Sequence, residues 1–209
     1  NEIGAFAPAK KVIVNVDFFR TLDDKNFRSG YAEMIKHALI SSHKDLGEVL
    51  GFELYEIDYD KLNTLLVRSI EIKETIVAAD PDEKGIRKSL NLGHTIAHAM
   101  ESWSYKSGNP ILHGYAVAWG LICELYLSHI KLGFPKDELL KLKYFINENY
   151  GKYDGSCKEY SEILELMKHD KKNESKEINF TLLSDIGDVK RNQTATKEEI
   201  EECLDFLAY

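Results

Sequence analysis

Only three cysteines occur in the 209 residues, Cys123, Cys157 and Cys203, and none forms a C-x-x-C pair. An odd, scattered set suits a reducing compartment better than a disulfide framework, so a cytoplasmic location is expected. No apolar run approaches the length of a bilayer span, and no signal-peptide pattern opens the chain. Basic excess is missing too: the net charge is -8, which argues against nucleic acid or an anionic membrane as the main partner. A local basic pocket for a phosphorylated ligand is still allowed. There is no Gly-rich phosphate loop, no nucleophilic triad, no internal repeat and no low-complexity tract. The first residue is Asn1 rather than Met, which points to a start inside a longer gene product.

What is present is ordinary globular material, 44% hydrophobic and 30% charged, in a length that suits one sizeable domain. Lys11 to Val16 is a β-branched run and reads as a leading strand. From Asp23 the pattern turns helical, with Phe27, Tyr31, Met34, Ile35, Ala38 and Leu39 able to share one face. Gly30 interrupts that helix at a cost of roughly 1 kcal/mol relative to Ala, unless close packing requires it. A second helix is predicted from about Asp60 to Ala79, and a loop from Asp80 to Gly85. A third helix runs from about Ser89 to Trp103 and stops at the breaker Lys106 to Pro110. The strongly apolar segment from His113 to about Leu132 reads as a central buried helix, and Pro135 marks the next helix start. Glu177 to Leu183 and Ile186 to Arg191 resemble two short strands, and Thr196 with Glu199 has capping-box spacing for a last helix. The expected fold is mainly α, a single helical domain over 1–209 with a leading strand and a small C-terminal β pair.

Three groups of residues could carry chemistry. His94 and His98 are i and i+4 on one helix face, and His113 follows a loop that could fold back onto it. Imidazoles with one carboxylate would make a zinc site with an open position. The pair equally suits a capped or hydrogen-bonded core, and only the third histidine brings the two readings level. Glu33 is the best carboxylate on pattern grounds, since it interrupts an apolar helix segment where an unpaired charge is costly. Lys36 stands three residues on, so plain i, i+3 pairing competes with the ligand reading. The third group is basic: Lys36, Lys73, Arg87 and the run Lys168 to Lys172, with Glu83 and Asn91 flanking Arg87. Phosphoryl and carboxylate groups favour such cations, although charge runs commonly form solvated faces.

These segments together resemble the sugar-phosphate cyclase superfamily, and most closely the 3-dehydroquinate synthases. The matching stretches are Asn1 to Phe6, Ser29 to Lys36, Glu71 to Lys73, Arg87 to Glu101, Leu112 to Gly114 and Asp170 to Lys172, in family order across nearly the whole chain. The string N-L-G-H-T-x-x-H-A-x-E is the most specific of them. The resemblance implies that Glu33, His94 and His113 bind a metal, zinc or cobalt. It makes His98 an acid–base residue rather than a ligand, against the pairing of His94 with His98 that spacing alone suggests. Glu83 would be a second proton acceptor. Asn1, Lys36, Lys73, Arg87, Asn91 and one of Lys171 and Lys172 would hold 3-deoxy-D-arabino-heptulosonate 7-phosphate. Phe18, Phe19, Arg20, Thr21 and Ser29 would face NAD. An N-terminal NAD-binding domain, absent from this chain, would be its partner, so the chain alone is expected to be inactive. A homodimer is compatible with the resemblance. The implied activity is a phosphate-eliminating lyase of the shikimate pathway, serving chorismate and aromatic amino acid biosynthesis. The rivals are another sugar-phosphate cyclase, a metal- and NAD-dependent polyol dehydrogenase of the glycerol dehydrogenase type, and a helical interaction domain. Tyr115 stands where the family usually has Glu, beside the third expected ligand.

Overall fold

Asp23 accepts a hydrogen bond from the Asn26 backbone N–H and so starts helix α1, Asp24–Leu39. The computed structural model describes residues 9–168 and 178–209. The expected inner face of α1 forms, with Phe27, Tyr31, Met34, Ile35, Ala38 and Leu39 all buried. Gly30 lies on the exposed side, where a Cβ would meet nothing within 4 Å, so no contact among the described residues requires it. Ser42 caps the short α2, His43–Leu50, and Asp58 caps the long α3, Tyr59–Ala79. Helix α3 buries only a narrow stripe, Leu62, Leu65, Ser69 and Ile72.

A 3-10 turn at Ile86–Asn91 leads into α4, His94–Ser107, which Gly108 ends in a left-handed conformation. Next come α5, His113–Leu132, and α6, Lys136–Tyr150, the latter introduced by Pro135. Helix α7, Tyr160–Lys168, precedes the antiparallel pair β1, Asn179–Asp185, and β2, Asp188–Thr194, in which Leu182 faces Lys190. Thr196 and Glu199 form the expected capping box of α8, Lys197–Ala208. Every residue of α5 from Ala116 to Leu125 is buried. Helices α1, α4, α6 and α8 and strand β1 all pack against it, so α5 is the axis of the domain. Among the described residues no helix is long and apolar enough to cross a membrane.

Four expectations need correction. Lys11 to Val16 is not a strand: Val12 and Ile13 are 75% and 82% exposed, and among the described residues only β1 and β2 pair. β-branched residues favour extended backbone, but without a neighbouring edge to bond to there is no strand. The third helix begins at His94 rather than Ser89, because Gly93, at φ 80°, breaks the helical path. The hairpin lies about two residues later than expected in both strands, Glu177 falling outside the described residues. Helices α2 and α7 had no counterpart in the expected pattern.

The junction of α1 and α2 is tied to α3 by Asp45. Its carboxylate accepts from Ser41 Oγ at 2.6 Å, Ser42 Oγ at 2.7 Å and Arg68 Nε at 2.8 Å. The Arg68 guanidinium holds this carboxyl well below the usual carboxylate range. Replacing it by Ala is expected to lower stability by about 1–3 kcal/mol at neutral pH, read by urea denaturation. Because the folded pKa is depressed, that contribution is complete above about pH 5 and is lost as the pH falls below about 4. The gap between wild type and Asp45→Ala should therefore narrow on acidification, and a gap that stays constant to about pH 2 would rule out an ionic role.

Candidate metal centre

Glu33 comes from the middle of α1, His94 opens α4 and His113 opens α5. One ligand atom from each lies within 4.8 Å of the other two. Glu33 Oε1 is 3.3 Å from His94 Nε2 and 3.9 Å from His113 Nε2. Ligand atoms around a tetrahedral zinc with bonds of about 2.0 Å stand about 3.3 Å apart. The Glu33–His94 spacing already suits an ion, and His113 stands somewhat farther from Glu33 than that. Glu33 Oε1 is buried and has no directed hydrogen-bond partner, which is the condition of an oxygen awaiting a cation.

The outer contacts orient both imidazoles. His94 Nδ1 is 3.1 Å from the Leu92 carbonyl oxygen, and His113 Nδ1 is 3.1 Å from Glu101 Oε2. With each Nδ1–H directed to its oxygen, both Nε2 lone pairs face Glu33, the arrangement usual for metal-bound histidines. The other Glu33 oxygen, Oε2, accepts from Lys36 Nζ at 2.6 Å. The i, i+3 pairing and the ligand reading are thus both satisfied, one oxygen each. Burial pushes the Glu33 carboxyl up, but the His94 contact and the Lys36 charge outweigh it and hold it well below its ordinary range. Burial lowers the His94 imidazole, which favours the neutral form a metal needs. Beside Glu33, His37 is pushed down to about 3 by burial, and its Nδ1 lies 2.7 Å from Ser69 Oγ. His98 is outside the triad of ligand atoms, yet its ring centroid is 5.4 Å from that of His94 and 6.0 Å from that of His113.

Glu83, Arg87 and Asn91 share the loop that feeds α4. Asp80 organises this loop by accepting the backbone N–H groups of Lys84, Gly85 and Arg87. Glu83 has φ 58°, a left-handed conformation uncommon for a side chain of its kind, and its Oε1 accepts from Asn91 Nδ2 at 3.0 Å. Arg87 Nη1 donates to the Pro81 carbonyl at 2.6 Å. Lys36 is buried beside Glu33, whereas Lys73 is exposed on α3 with no hydrogen bond to the triad. Lys168 is exposed and bonds Glu165 at the end of α7. Asn1, Lys171 and Lys172 lie outside the described residues.

The expected NAD-facing residues occupy the start of the domain. Phe18, Phe19, Arg20 and Thr21 lie in a 3-10 turn, Val16–Thr21. Phe18 is 78% exposed, Phe19 packs edge-on against Phe27, and the Arg20 guanidinium stacks 3.9 Å over the Tyr59 ring. Thr21 Oγ1 donates to the Phe18 carbonyl. Ser29 Oγ accepts the Gly114 N–H at 3.0 Å, and a Cβ at Gly114 would fall 1.8 Å from the Ser29 carbonyl oxygen. Only glycine lets the first turn of α5, and with it His113, come this close to α1. Tyr115 packs edge-on against Tyr150 and Trp119, so the residue at the family's usual Glu position serves an aromatic cluster here. Sequence reasoning assigned no role to Glu101. The available signal was its position, seven residues after His94 on the same helix face.

Fold and triad together define a helical domain built around a candidate metal centre. Residues 30–173 match the family described as 3-dehydroquinate synthase C-terminal, and the chain belongs to that family. A 3-dehydroquinate synthase of Parabacteroides distasonis is 52% identical over 206 residues, covering 99% of this chain and 58% of its own length. One from Listeria innocua is 40% identical over 189 residues, covering 90% of this chain and 51% of its own. The chain thus spans a little over half the length of the curated relatives it matches. Among solved structures, 2-epi-5-epi-valiolone synthase from Streptomyces hygroscopicus with NAD+ and Zn2+ bound has a TM-score of 0.82 at 20% identity, over 100% of this chain and 58% of its own. A 2-deoxy-scyllo-inosose synthase complexed with carbaglucose-6-phosphate, NAD+ and Co2+ has a TM-score of 0.78 at 23% identity, over 98% and 57%. At these identities the two structures establish the fold, the mainly α architecture expected from the sequence.

One divalent ion per chain is the expected stoichiometry, read by elemental analysis after dialysis. His113→Ala should lose the ion, whereas His98→Ala should keep it. Retention in the first and loss in the second would mean that His98, not His113, is the ligand.

Proposed function

We propose that this chain forms the metal- and substrate-binding part of a 3-dehydroquinate synthase, a carbon–oxygen lyase that converts 3-deoxy-D-arabino-heptulosonate 7-phosphate to 3-dehydroquinate and phosphate. The observation that carries the reading is the triad of Glu33, His94 and His113 at the end of a loop bearing Glu83, Arg87 and Asn91. Membership of the family and relatives of that name at 52% and 40% identity support it over a polyol dehydrogenase. A polyol substrate would not need Lys73, Arg87 and the Lys171/Lys172 pair together, since it carries no phosphate. The shikimate pathway and a cytoplasmic location follow from this reading as part of the same proposal.

When bound, a divalent cation would supply Lewis-acid polarisation of a substrate hydroxyl, and NAD would supply a hydride acceptor. Glu33, His94 and His113 hold the cation, with zinc or cobalt both suited to two imidazoles and a carboxylate. His98 Nδ1 or Nε2 takes up and returns a proton for a substrate lying on the open side of the triad. Glu83 accepts a second proton, its carboxylate steadied by Asn91. Arg87, Lys73 and Lys171 or Lys172 hold the phosphate and carboxylate of the substrate, and Asn1, Lys36 and Asn91 complete its binding. Phe18, Phe19, Arg20, Thr21 and Ser29 form one wall for NAD. We assign the remaining contacts to an N-terminal NAD-binding domain outside these residues.

In the complete enzyme, Arg87→Ala should reduce kcat/KM for the phosphorylated substrate about 10- to 100-fold, the worth of one sheltered charge-assisted contact. NAD affinity should be little changed. Equal losses in both would place Arg87 outside the substrate site. The 209-residue chain assayed alone, at saturating NAD, zinc and substrate, should form no measurable 3-dehydroquinate. Misplacing a reactant forfeits roughly 7–11 kcal/mol of barrier reduction, and one wall does not orient a nicotinamide. Turnover near that of a full-length enzyme would show a nucleotide site within these residues.

A further inference from the structure

Glu124 is a fully buried carboxylate in the middle of α5, on a helix whose neighbouring positions are all apolar or small. A buried charge is costly unless it is bonded, and Glu124 is bonded to a particular place. Its Oε2 accepts the Gly93 N–H at 2.8 Å and its Oε1 accepts the Thr95 N–H at 3.1 Å. These two amides flank the metal-ligand candidate His94. Helix α4 has Gly93 at its N-cap, with φ 80° and no side chain to satisfy the free N–H groups of the first turn. Glu124 supplies that cap from another helix, and its negative charge also suits the positive end of the α4 dipole.

Gly120, one turn earlier on α5, makes the approach possible. A Cβ there would lie 2.1 Å from the Gly93 carbonyl oxygen, so any side chain would push α4 away. The gripped segment also orients the ligand, since the Leu92 carbonyl lies 3.1 Å from His94 Nδ1. Helix α5 therefore carries His113 on its first turn and, three turns on, holds the backbone on either side of His94.

We propose that Glu124 is a positioning residue of the metal centre. It fixes the first turn of α4 against α5 and thereby sets the spacing of His94 and His113. This rests on the metal reading given above, and the test separates the two. The probe is Co2+, titrated into the 209-residue chain and followed by its visible absorption, with thermal unfolding of each metal-free variant measured alongside. Glu124→Gln keeps the size but turns an N–H2 toward one of the two amides. It should weaken Co2+ binding about 10- to 100-fold and alter the cobalt spectrum. Leu142→Ala, a buried change in α6, serves as a control for lost stability. It should leave affinity and spectrum near wild type even where its melting temperature falls as far. Wild-type affinity and spectrum in Glu124→Gln would overturn the proposal. Should that variant not fold, Glu124→Asp keeps the charge and withdraws it by one methylene. About tenfold weaker binding is then expected, and unchanged binding would be equally fatal. A wild-type chain that takes up no Co2+ would defeat the metal reading itself, and this inference with it.

Discussion

Glu33 projects from a helix whose adjoining residues Tyr31, Ala32, Met34 and Ile35 are all buried, so its charge has to be matched locally. Lys36, itself 3% exposed, takes one oxygen, and the imidazoles of His94 and His113 converge on the other. That requirement ties three helices together. The start of α4 and the start of α5 must both reach the middle of α1, and the glycines that line these approaches are the sequence's answer. Gly114 admits the Ser29 backbone, and Gly120 admits the carbonyl of Gly93. The outer contacts of the imidazoles, to the Leu92 carbonyl and to Glu101, then leave both Nε2 atoms pointing inward.

Around this centre the side chains stand on two kinds of support. The candidate ligands stand on the buried α5 itself and on α1 and α4, which pack against it, where small displacements are resisted by the whole core. Glu83, Arg87 and Asn91 stand instead on a loop and a 3-10 turn, held by the Asp80 carboxylate through three backbone amides.

Much of the helical framework was legible because apolar spacing in α1 and α3 and the strongly apolar character of α5 leave little alternative. Capping chemistry located α8 at Thr196. Short elements were not legible: α2 and α7 offer eight and nine residues, too few for periodicity to stand out from their charged surroundings. The run Lys11 to Val16 shows the opposite failure, since β-branched composition cannot form a strand without a partner edge. At the site, i, i+4 spacing favoured His98 over His113 as the companion of His94, whereas the turn at Gly108 brings His113 back instead. Spacing along one helix carries no record of a chain reversal, and the grouping of His113 with Glu33 and His94 was expected from the family resemblance alone. Glu124 had no role in the reading of the sequence, although it is an acidic residue within the apolar stretch of α5. Which amides it would reach depends on how α4 and α5 cross, and that is not written in local sequence.

The central claim is that one carboxylate and two imidazoles from three different helices share a single ion. X-ray diffraction from crystals of the zinc-loaded chain, recorded on either side of the zinc absorption edge, tests it most directly. The expected result is one anomalous peak bounded by Glu33 Oε1, His94 Nε2 and His113 Nε2, with the fourth position open to solvent. A peak bounded by His98 in place of His113, or one lying away from Glu33 altogether, would contradict the account.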